Sequence, residues 1–351
     1  MDLLLLLVAF VVILAGAELF TNGIEWFGKK LELAEGAVGS VLAAVGTALP
    51  ETMIPIIAIL FAGGAGSHEV GVGAILGAPF MLSTLAMFVT GVAVLLVARR
   101  GRPNDVMLVN TRVLWHDMKF FAIAYAIAVG VAFLPGDLAW PRWLAAGVLL
   151  LIYAYYVREH FQADAGHDGG GDLAVLRFHR LDRWADRHPA PTRLRIVTVQ
   201  VLFALGCIVV GATVFVGAVE HLALSFGLDE VLLALVIAPI ATELPEKFNS
   251  VIWVRQGKDT LAMGNITGAM VFQSTIPTVV ALVFASSHWV IGPGTTVAFA
   301  SAAIAFLSSA AIFIPMARRR RLTGRSLLVG GIFYLVYLAL VGSAVAGLIA
   351  T

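Results

Sequence analysis

Charged residues are scarce in this sequence. Asp, Glu, Lys and Arg make up only 13% of its 351 residues, whereas an ordinary soluble domain carries about 25%. The hydrophobic share, 60%, is too large to hide inside one aqueous core. These two values exclude a soluble enzyme and a disordered chain. With 23 basic and 22 acidic residues, the chain also lacks the excess positive charge typical of a nucleic-acid-binding protein.

Cysteine is almost absent too, since Cys207 is the only one and can form no disulfide bond within the chain. Long apolar runs are abundant instead. A helix of about 20 apolar residues crosses the roughly 30 Å hydrocarbon core of a bilayer. We therefore predict an all-α membrane protein with ten transmembrane helices. The ten runs that meet or nearly meet this length are residues 3–27, 37–62, 70–98, 119–135, 141–157, 196–219, 230–254, 261–286, 290–316 and 326–350.

The basic residues predict how these helices are oriented. If the N-terminus lies outside, all but two of the 23 Lys and Arg residues fall in cytoplasmic connections, as the positive-inside rule requires. The exceptions are Arg142, in an outside loop, and Lys247, within a span. The N-terminus lacks the basic region of a secretory signal, so we expect the first helix to be retained. The chain is thus expected in the cell membrane (plasma or inner membrane) with both termini outside.

The longest connection, residues 158–195, separates five helices from five. It holds the glycine patch at 169–171 followed by alternating Arg, His and Asp, a composition typical of a solvated linker. A regulatory or lipid-headgroup role of its arginines is the alternative. We predict a five-helix repeat at 1–157, a cytoplasmic linker at 158–195 and a second five-helix repeat at 196–351.

A short motif occurs twice in the chain. Residues 45–51 (VGTALPE) recur as 240–246 (IATELPE), and residues 73–78 (GAILGA) recur as 264–269 (GNITGA). The first copy falls on predicted helices two and three, which meet at an outside loop. The second falls on helices seven and eight, which meet inside. Two inverted halves with the same mid-membrane motif are typical of a secondary transporter.

Each polar position of the motif has a chemical rationale. A proline within a span removes a backbone hydrogen bond and exposes carbonyl groups. A glutamate places costly negative charge in the membrane, which marks a functional site. A threonine four residues before the glutamate adds a hydroxyl on the same helix face. These residues are Thr47, Pro50 and Glu51 in the first copy and Thr242, Pro245 and Glu246 in the second.

The combined donor set contains only oxygen atoms. Two carboxylates, two hydroxyls and loosened carbonyls suit a hard cation such as calcium, which takes about 6–8 oxygen ligands. No histidine or cysteine is expected at that depth, which argues against zinc and copper. The pairs Gly73/Gly77 and Gly264/Gly268 have the spacing that lets helices pack closely beside such a site.

Ten helices, inverted halves and the paired motifs resemble the sodium/calcium exchanger family of cation/calcium antiporters. The topological likeness covers nearly the whole chain, and the likeness in motifs is confined to residues 40–77 and 236–276. The resemblance implies that Glu51 and Glu246 bind calcium, that the motif threonines add oxygen ligands and that the four glycines pack around the site. It also implies access from each side in turn as helices one and six slide against the rest.

The second signature departs from the family pattern. Where the family has Gly-Ser-Asn followed shortly by Asn or Asp, this sequence reads GAPFML at 77–82 and GAMVFQ at 268–273. The typical sodium ligands are therefore depleted. Protons are an alternative coupling ion to sodium, because a buried carboxylate readily exchanges a proton for a cation. Asn265 and Gln273 are candidate modulators of the site.

Two further charges accompany Glu246. Glu243 and Lys247 have the i, i+4 spacing of a helical ion pair, which is one interpretation. The alternative is that Glu243 is a further cation ligand and that Lys247 competes with the cation. The formal charges of Glu51, Glu243, Glu246 and Lys247 add to −2, which matches one divalent ion.

The sequence therefore predicts a secondary antiporter, not an enzyme, that exchanges calcium or a related divalent cation for sodium or protons. Its expected partners are inorganic cations and the lipid bilayer, without nucleic acid or a tightly bound cofactor. We expect a monomer, with an oligomer as the alternative. A non-exchanging channel or a binding scaffold on the same fold is the second function class. An intramembrane hydrolase would need a Ser/His or metal-binding constellation, and none lies within the predicted spans.

Overall fold

The computed structural model describes residues 2–33, 35–60, 67–98, 104–162, 174–179, 193–225, 249–292 and 295–345. Most of these residues are helical. Seven of the described helices are long and apolar enough to cross a membrane. The prediction of an all-α membrane protein is therefore confirmed.

The described elements are helices and one pair of short strands. Up to residue 162 they are α1 (Asp2–Lys30), α2 (Glu35–Ala37), the π-helix π1 (Val38–Ala43), α3 (Ala44–Thr47), α4 (Leu49–Leu60), α5 (Ser67–Met81), the π-helix π2 (Leu82–Ala86), α6 (Met87–Ala98), strand β1 (Val106–Met107), α7 (Thr111–Gly130), a 3-10 turn (Val131–Phe133) and α8 (Ala139–Gln162). From residue 194 onward they are α9 (Leu194–Ser225), α10 (249–255), α11 (Asp259–Phe284), a 3-10 turn (Ser286–His288), α12 (Thr296–Arg319), strand β2 (Leu322–Thr323), α13 (Gly324–Leu327) and α14 (Val329–Val345). Strands β1 and β2 pair antiparallel and so connect the segment after α6 to the segment before α13.

The count of ten spans is not confirmed by the described residues. Most of the predicted seventh span, 230–254, lies outside them. The predicted second span, 37–62, is divided into short pieces from π1 to α4. The fourth begins at Thr111 instead of residue 119. Its start is fixed by Asn110, whose side chain accepts hydrogen bonds from two backbone N–H groups of the first turn and so caps the helix.

Helices α1 and α9 form a closely packed pair. A Cβ built on Gly16 of α1 would lie 3.0 Å from Ile208 Cγ1 and 3.2 Å from the Ala204 carbonyl oxygen, and Gly211 of α9 meets Ile13 in the same way. Small residues thus let the two helices approach closely. Their extensive contact with each other contrasts with smaller contacts of α1 to π1 and of α9 to α4.

Helix α11 is the centre of the described bundle. Every residue from Asp259 to Thr275 is buried, and the helix packs against α5, α7, α8 and π1. A helix that is buried all round belongs to the protein interior rather than to the lipid surface. Its polar residues therefore face other helices.

The backbone of π1 lies directly against α11. A Cβ built on Gly268 would overlap the backbone of Ser40, and one built on Gly264 would come within 3.0 Å of the Ser40 hydroxyl oxygen. Gly39 in turn faces the backbone of Leu261. These positions need glycine because any side chain would push the two backbones apart.

The first glycine pair lies in a different environment. Within the described part of the chain, no atom comes within 4 Å of a Cβ built on Gly73 or Gly77. A close backbone contact is therefore present at Gly264 and Gly268, and the same contact is not found at the pair that the sequence aligns with them.

Arg142, which was expected in an outside loop, is buried at the start of α8. Its side chain is 0% exposed. A buried guanidinium is costly unless its donors are satisfied. This one donates to the backbone carbonyls of Leu134, Pro135, Leu138 and Trp289 at 2.7–3.2 Å. These bonds hold the α7–α8 connection against the turn that follows α11.

We expect Gly268→Ala to destabilise the protein, because the added methyl group would displace the backbone of Ser40. Overpacking of this kind typically costs about 1–3 kcal/mol. The matched control is Gly147→Ala on α8, where a Cβ meets open space. Thermal unfolding in detergent should show a lower midpoint for Gly268→Ala alone. Equal midpoints for the two variants would contradict the close contact between π1 and α11.

Candidate cation site

The first motif lies at a break in the helix. Helix α3 ends at Thr47 and α4 begins at Leu49, with Ala48 between them at φ −83° and ψ 2°. Pro50 has no N–H group and so cannot donate the backbone hydrogen bond that a regular helix would give to the Gly46 carbonyl. The π-helix π1 is separated from this break only by the four residues of α3, and such wide turns occur frequently at functional sites.

Thr47 connects the break to the central helix. Its side chain is fully buried, and its Oγ1 lies 2.9 Å from Asn265 Oδ1 and 3.0 Å from the Ala43 carbonyl oxygen. Asn265 also donates through Nδ2 to Ser250 Oγ at 3.5 Å. One polar chain thus joins α3, α11 and α10.

Ser250 places the second motif in relation to the first. Its hydroxyl donates to the Ala262 carbonyl oxygen of α11 at 3.2 Å, and it stands four residues after Glu246 in the sequence. The described segment that follows the second motif therefore reaches the same polar chain as Thr47.

Glu51 supplies the negative charge of the described site. It lies in the first turn of α4 and is only 9% exposed. The partial positive charge of a helix N-terminus stabilises a carboxylate at this position. The neighbouring Thr52 is satisfied locally, since its hydroxyl donates to the Ala48 carbonyl oxygen at 2.6 Å.

The second copy of the motif lies outside the described residues. Residues 226–248 contain Thr242, Glu243, Pro245, Glu246 and Lys247. The meeting of the two glutamates and the pairing of Glu243 with Lys247 therefore stay predictions. Among the described residues, no group of three or more His, Cys, Asp or Glu side chains could hold a metal ion.

Further buried polar groups lie on the helices around the break. Thr21 of α1 donates to Asn249 Oδ1 at 3.1 Å, which connects α1 to α10. The Nδ2 of Asn249 and the Oε1 of Gln273 are buried without a hydrogen-bond partner in the described part of the chain. Thr21 and Ser250 were not singled out from the sequence, because a lone hydroxyl in an apolar run carries no signal without its partner.

The arrangement can bind a hard cation better than it can perform bond chemistry. It offers a buried carboxylate, a threonine hydroxyl and an amide oxygen beside a turn of irregular backbone. Such oxygen donors match the preference of calcium and similar cations. A nucleophile activated by a base is not found at this break among the described residues.

The sequence analysis missed the buried carboxylate of α7. Asp117 of α7 is 0% exposed and lies 3.0 Å from the Nε2 of His160 on α8. Both residues fell outside the predicted spans 119–135 and 141–157. The signal that could have found them is Asn110, a residue type that favours the N-cap position and stands seven residues before Asp117.

Comparisons with known proteins agree with this architecture. The family described as sodium/calcium exchanger protein matches residues 1–158 and 196–344. A protein of Alkalimonas amylolytica named as a proposed antiporter, CaxA, is 26% identical over 271 residues, which cover 76% of this chain and 75% of the relative. The inner membrane protein YrbG of Escherichia coli (strain K12) is 27% identical over 244 residues, covering 68% and 66%.

The fold is similar to that of solved structures of the sodium-calcium exchanger NCX_Mj. In crystals soaked with zero Na⁺ and Ca²⁺, the TM-score is 0.70 at 15% identity, over 96% of this chain and 98% of the other. In crystals soaked with 2.5 mM Na⁺ and 0.1 mM Sr²⁺, it is 0.69 at 16% identity, over 97% and 99%. At this level of identity the likeness concerns the fold alone.

Thr47→Val should weaken the polar chain, because Asn265 Oδ1 loses the hydroxyl at 2.9 Å. A lost hydrogen bond that leaves a buried group unsatisfied costs about 1–3 kcal/mol. The matched control is Thr213→Val on α9, an exposed threonine that bonds only to its own helix at 2.9 Å. Denaturant or thermal unfolding should separate the two variants. Equal loss of stability in both would show that the bond to Asn265 contributes nothing.

Proposed function

Because the chain belongs to the sodium/calcium exchanger protein family, we propose that it is a secondary antiporter for calcium or a related divalent cation. The counter-ion in this proposal is sodium or protons. The family is one of exchangers, which are transporters and not enzymes. No tightly bound cofactor is needed, since the cations are substrates.

One observation carries the proposal. Thr47, at the break before Glu51, hydrogen-bonds to Asn265 in the buried centre of the bundle. An intramembrane carboxylate beside irregular backbone is the arrangement in which transporters hold ions. In this proposal Glu51 and Glu246 bind the cation, with Thr47 and Thr242 as oxygen ligands. Glu243 is a further ligand or the partner of Lys247.

The relatives support the class of substrate. The NCX_Mj structures are of a sodium-calcium exchanger soaked with Na⁺ and either Ca²⁺ or Sr²⁺, and the similar protein CaxA is named as a proposed antiporter. Calcium is therefore the first cation to test. Gln273 stands where the family pattern has Asn or Asp, and this replacement favours protons over sodium as the counter-ion.

We further propose ten transmembrane helices arranged as two inverted five-helix repeats, 1–157 and 196–351, with a cytoplasmic linker at 158–195 and both termini outside the cell membrane. The close pair α1 and α9 corresponds to predicted helices one and six. Its small contacts with π1 and α4 favour movement of the pair as a unit. Such movement would open the site to each side of the membrane in turn.

The proposed function predicts that proteoliposomes take up calcium when the counter-ion is more concentrated inside, because efflux of the counter-ion drives calcium entry. The purified full-length protein is reconstituted, and ⁴⁵Ca²⁺ uptake is compared under an outward sodium gradient and an outward proton gradient. Glu51→Gln should lower uptake about tenfold or more, because losing a charged ligand costs about 1.5–3 kcal/mol. Glu246→Gln should do the same.

The matched control is Glu18→Gln. Glu18 also lies on a described helix, but it is 58% exposed and paired with Arg177, so uptake should persist. If neither gradient drives uptake of calcium, strontium or manganese, the antiporter proposal is wrong and a channel or binding scaffold takes its place. Normal uptake by Glu51→Gln would exclude this glutamate as a ligand.

A further inference from the structure

Asp117 is held by four donors in the middle of the bundle. It is completely buried, where α7, α8, π1 and α11 meet. Its two carboxylate oxygens differ in their partners, since Oδ2 faces two hydroxyls and Oδ1 faces a phenol and an imidazole. The donors are Ser40 Oγ at 2.8 Å, Thr267 Oγ1 at 2.5 Å, Tyr156 Oη at 3.0 Å and His160 Nε2 at 3.0 Å.

The hydrogen bonds of His160 require an additional proton. Its Nδ1 lies 3.1 Å from the Tyr156 carbonyl oxygen, which can only accept, so Nδ1 carries a hydrogen. Its Nε2 faces Asp117 Oδ1, and a lone pair against a carboxylate oxygen would be repulsive. One proton must therefore lie between Nε2 and Oδ1. The pair is neutral with this proton and carries a charge of −1 without it.

The pair is connected to two described elements of the candidate cation site, α3 and α11. Ser40 belongs to π1, which continues into the helix of Thr47. Thr267 lies on α11 between Asn265 and Gly268, the glycine that contacts the backbone of Ser40. A change of charge on Asp117 therefore acts on both segments that form the polar chain at the helix break.

Tyr156 makes this connection sensitive to charge. Its one hydroxyl hydrogen has two acceptors, Asp117 Oδ1 at 3.0 Å and the Ser40 carbonyl oxygen at 3.1 Å. Loss of the proton strengthens the carboxylate as an acceptor and draws the phenol away from Ser40. Since a charged hydrogen bond is about twice as strong as a neutral one, the carbonyl of Ser40 then loses this donor.

A partly exposed histidine gives the pair a route to water. The ring of His116 lies 5.4 Å from that of His160, and its buried Nε2 has no hydrogen-bond partner among the described residues. The other groups whose charges act on these rings are Glu159 of α8 and Lys119 of α7. From π1 and α11 the described groups that face Asp117 are neutral hydroxyls.

We propose that Asp117 and His160 form a proton-binding site, separate from the cation site at Glu51, and that release of this proton favours cation binding. The uncovered negative charge attracts a cation into the same bundle, and the cation in turn makes the proton easier to lose. This inference rests on the proposed antiport function, for which it names the proton as the counter-ion. It does not require the proton and the cation to share a ligand.

The test measures protons released when calcium binds to the full-length protein in detergent. A pH-indicator dye counts the protons, and ⁴⁵Ca²⁺ binding between pH 6 and pH 9 gives the slope of log Kd against pH. Coupling to one proton changes Kd up to about tenfold per pH unit. We expect His160→Gln and Asp117→Asn to release about one proton fewer than the wild type and to reduce the slope by about one.

Two control variants distinguish loss of the proton-binding pair from a general effect of substitution on the structure. Tyr125→Phe removes a buried phenol of α7 that lies outside the cluster and donates to the Leu76 carbonyl oxygen at 2.8 Å, so its proton count should equal that of the wild type. His179→Gln removes a histidine outside this cluster and should also leave the count unchanged. An unchanged count in His160→Gln, or an equal loss in Tyr125→Phe, would overturn the proposal.

A second measurement uses only the wild-type protein and therefore does not depend on whether a variant folds. Infrared difference spectra of wild-type protein with ¹⁵N-labelled histidine rings should show a histidine band that changes when calcium is added. Calcium binding without any such band would refute the proton site. If the wild type neither binds nor exchanges calcium, the antiport function fails instead, so the two failures are distinguishable.

Discussion

The backbone contact between Ser40 and Gly268 determines the rest of the described site. Lipid tails are as apolar as leucine side chains, so helices in a membrane associate mainly by close packing and hydrogen bonds. The glycines of α11 allow π1 to approach within backbone distance. This approach brings Thr47 to 2.9 Å from Asn265 and the Ser40 hydroxyl to 2.8 Å from Asp117. Without it, both polar clusters would lose a partner.

Irregular backbone is tolerated here because it is buried in protein. A helix break facing lipid would leave carbonyl and N–H groups without partners, which costs several kcal/mol for each group. At the break after Thr47, local hydroxyls compensate part of this cost, since Thr47 and Thr52 each bond to the carbonyl four residues earlier. Burial among other helices thus lets the chain keep an irregular turn beside Glu51.

The composition and the repeated motif predicted membrane helices and candidate site residues, but they did not predict which residues contact one another. Thr47, Glu51 and the second glycine pair were singled out because they belong to a motif that occurs twice, and their role at a cation site stays a prediction. The start of α7 was placed eight residues too late, at 119 instead of Thr111, because hydropathy counts Asp117 as a cost without its four donors. Gly73 and Gly264 have similar sequence surroundings, and only the fold distinguishes a glycine at a backbone contact from one facing open space.

The buried carboxylates of Glu51 and Asp117 face the same energetic problem with different solutions. A buried negative charge is costly unless a positive group or several donors compensate it. Asp117 is compensated by His160 and three hydroxyl groups supplied by different elements, so its environment is complete without a metal ion. Glu51 lies in the first turn of α4, beside the irregular backbone at Ala48, and in the proposed function it binds the cation. In the proposed exchange these solutions are linked, because the proton at Asp117 and the cation at Glu51 each reduce the negative charge of one closed bundle. Binding of either then disfavours the other, which is the thermodynamic requirement for antiport.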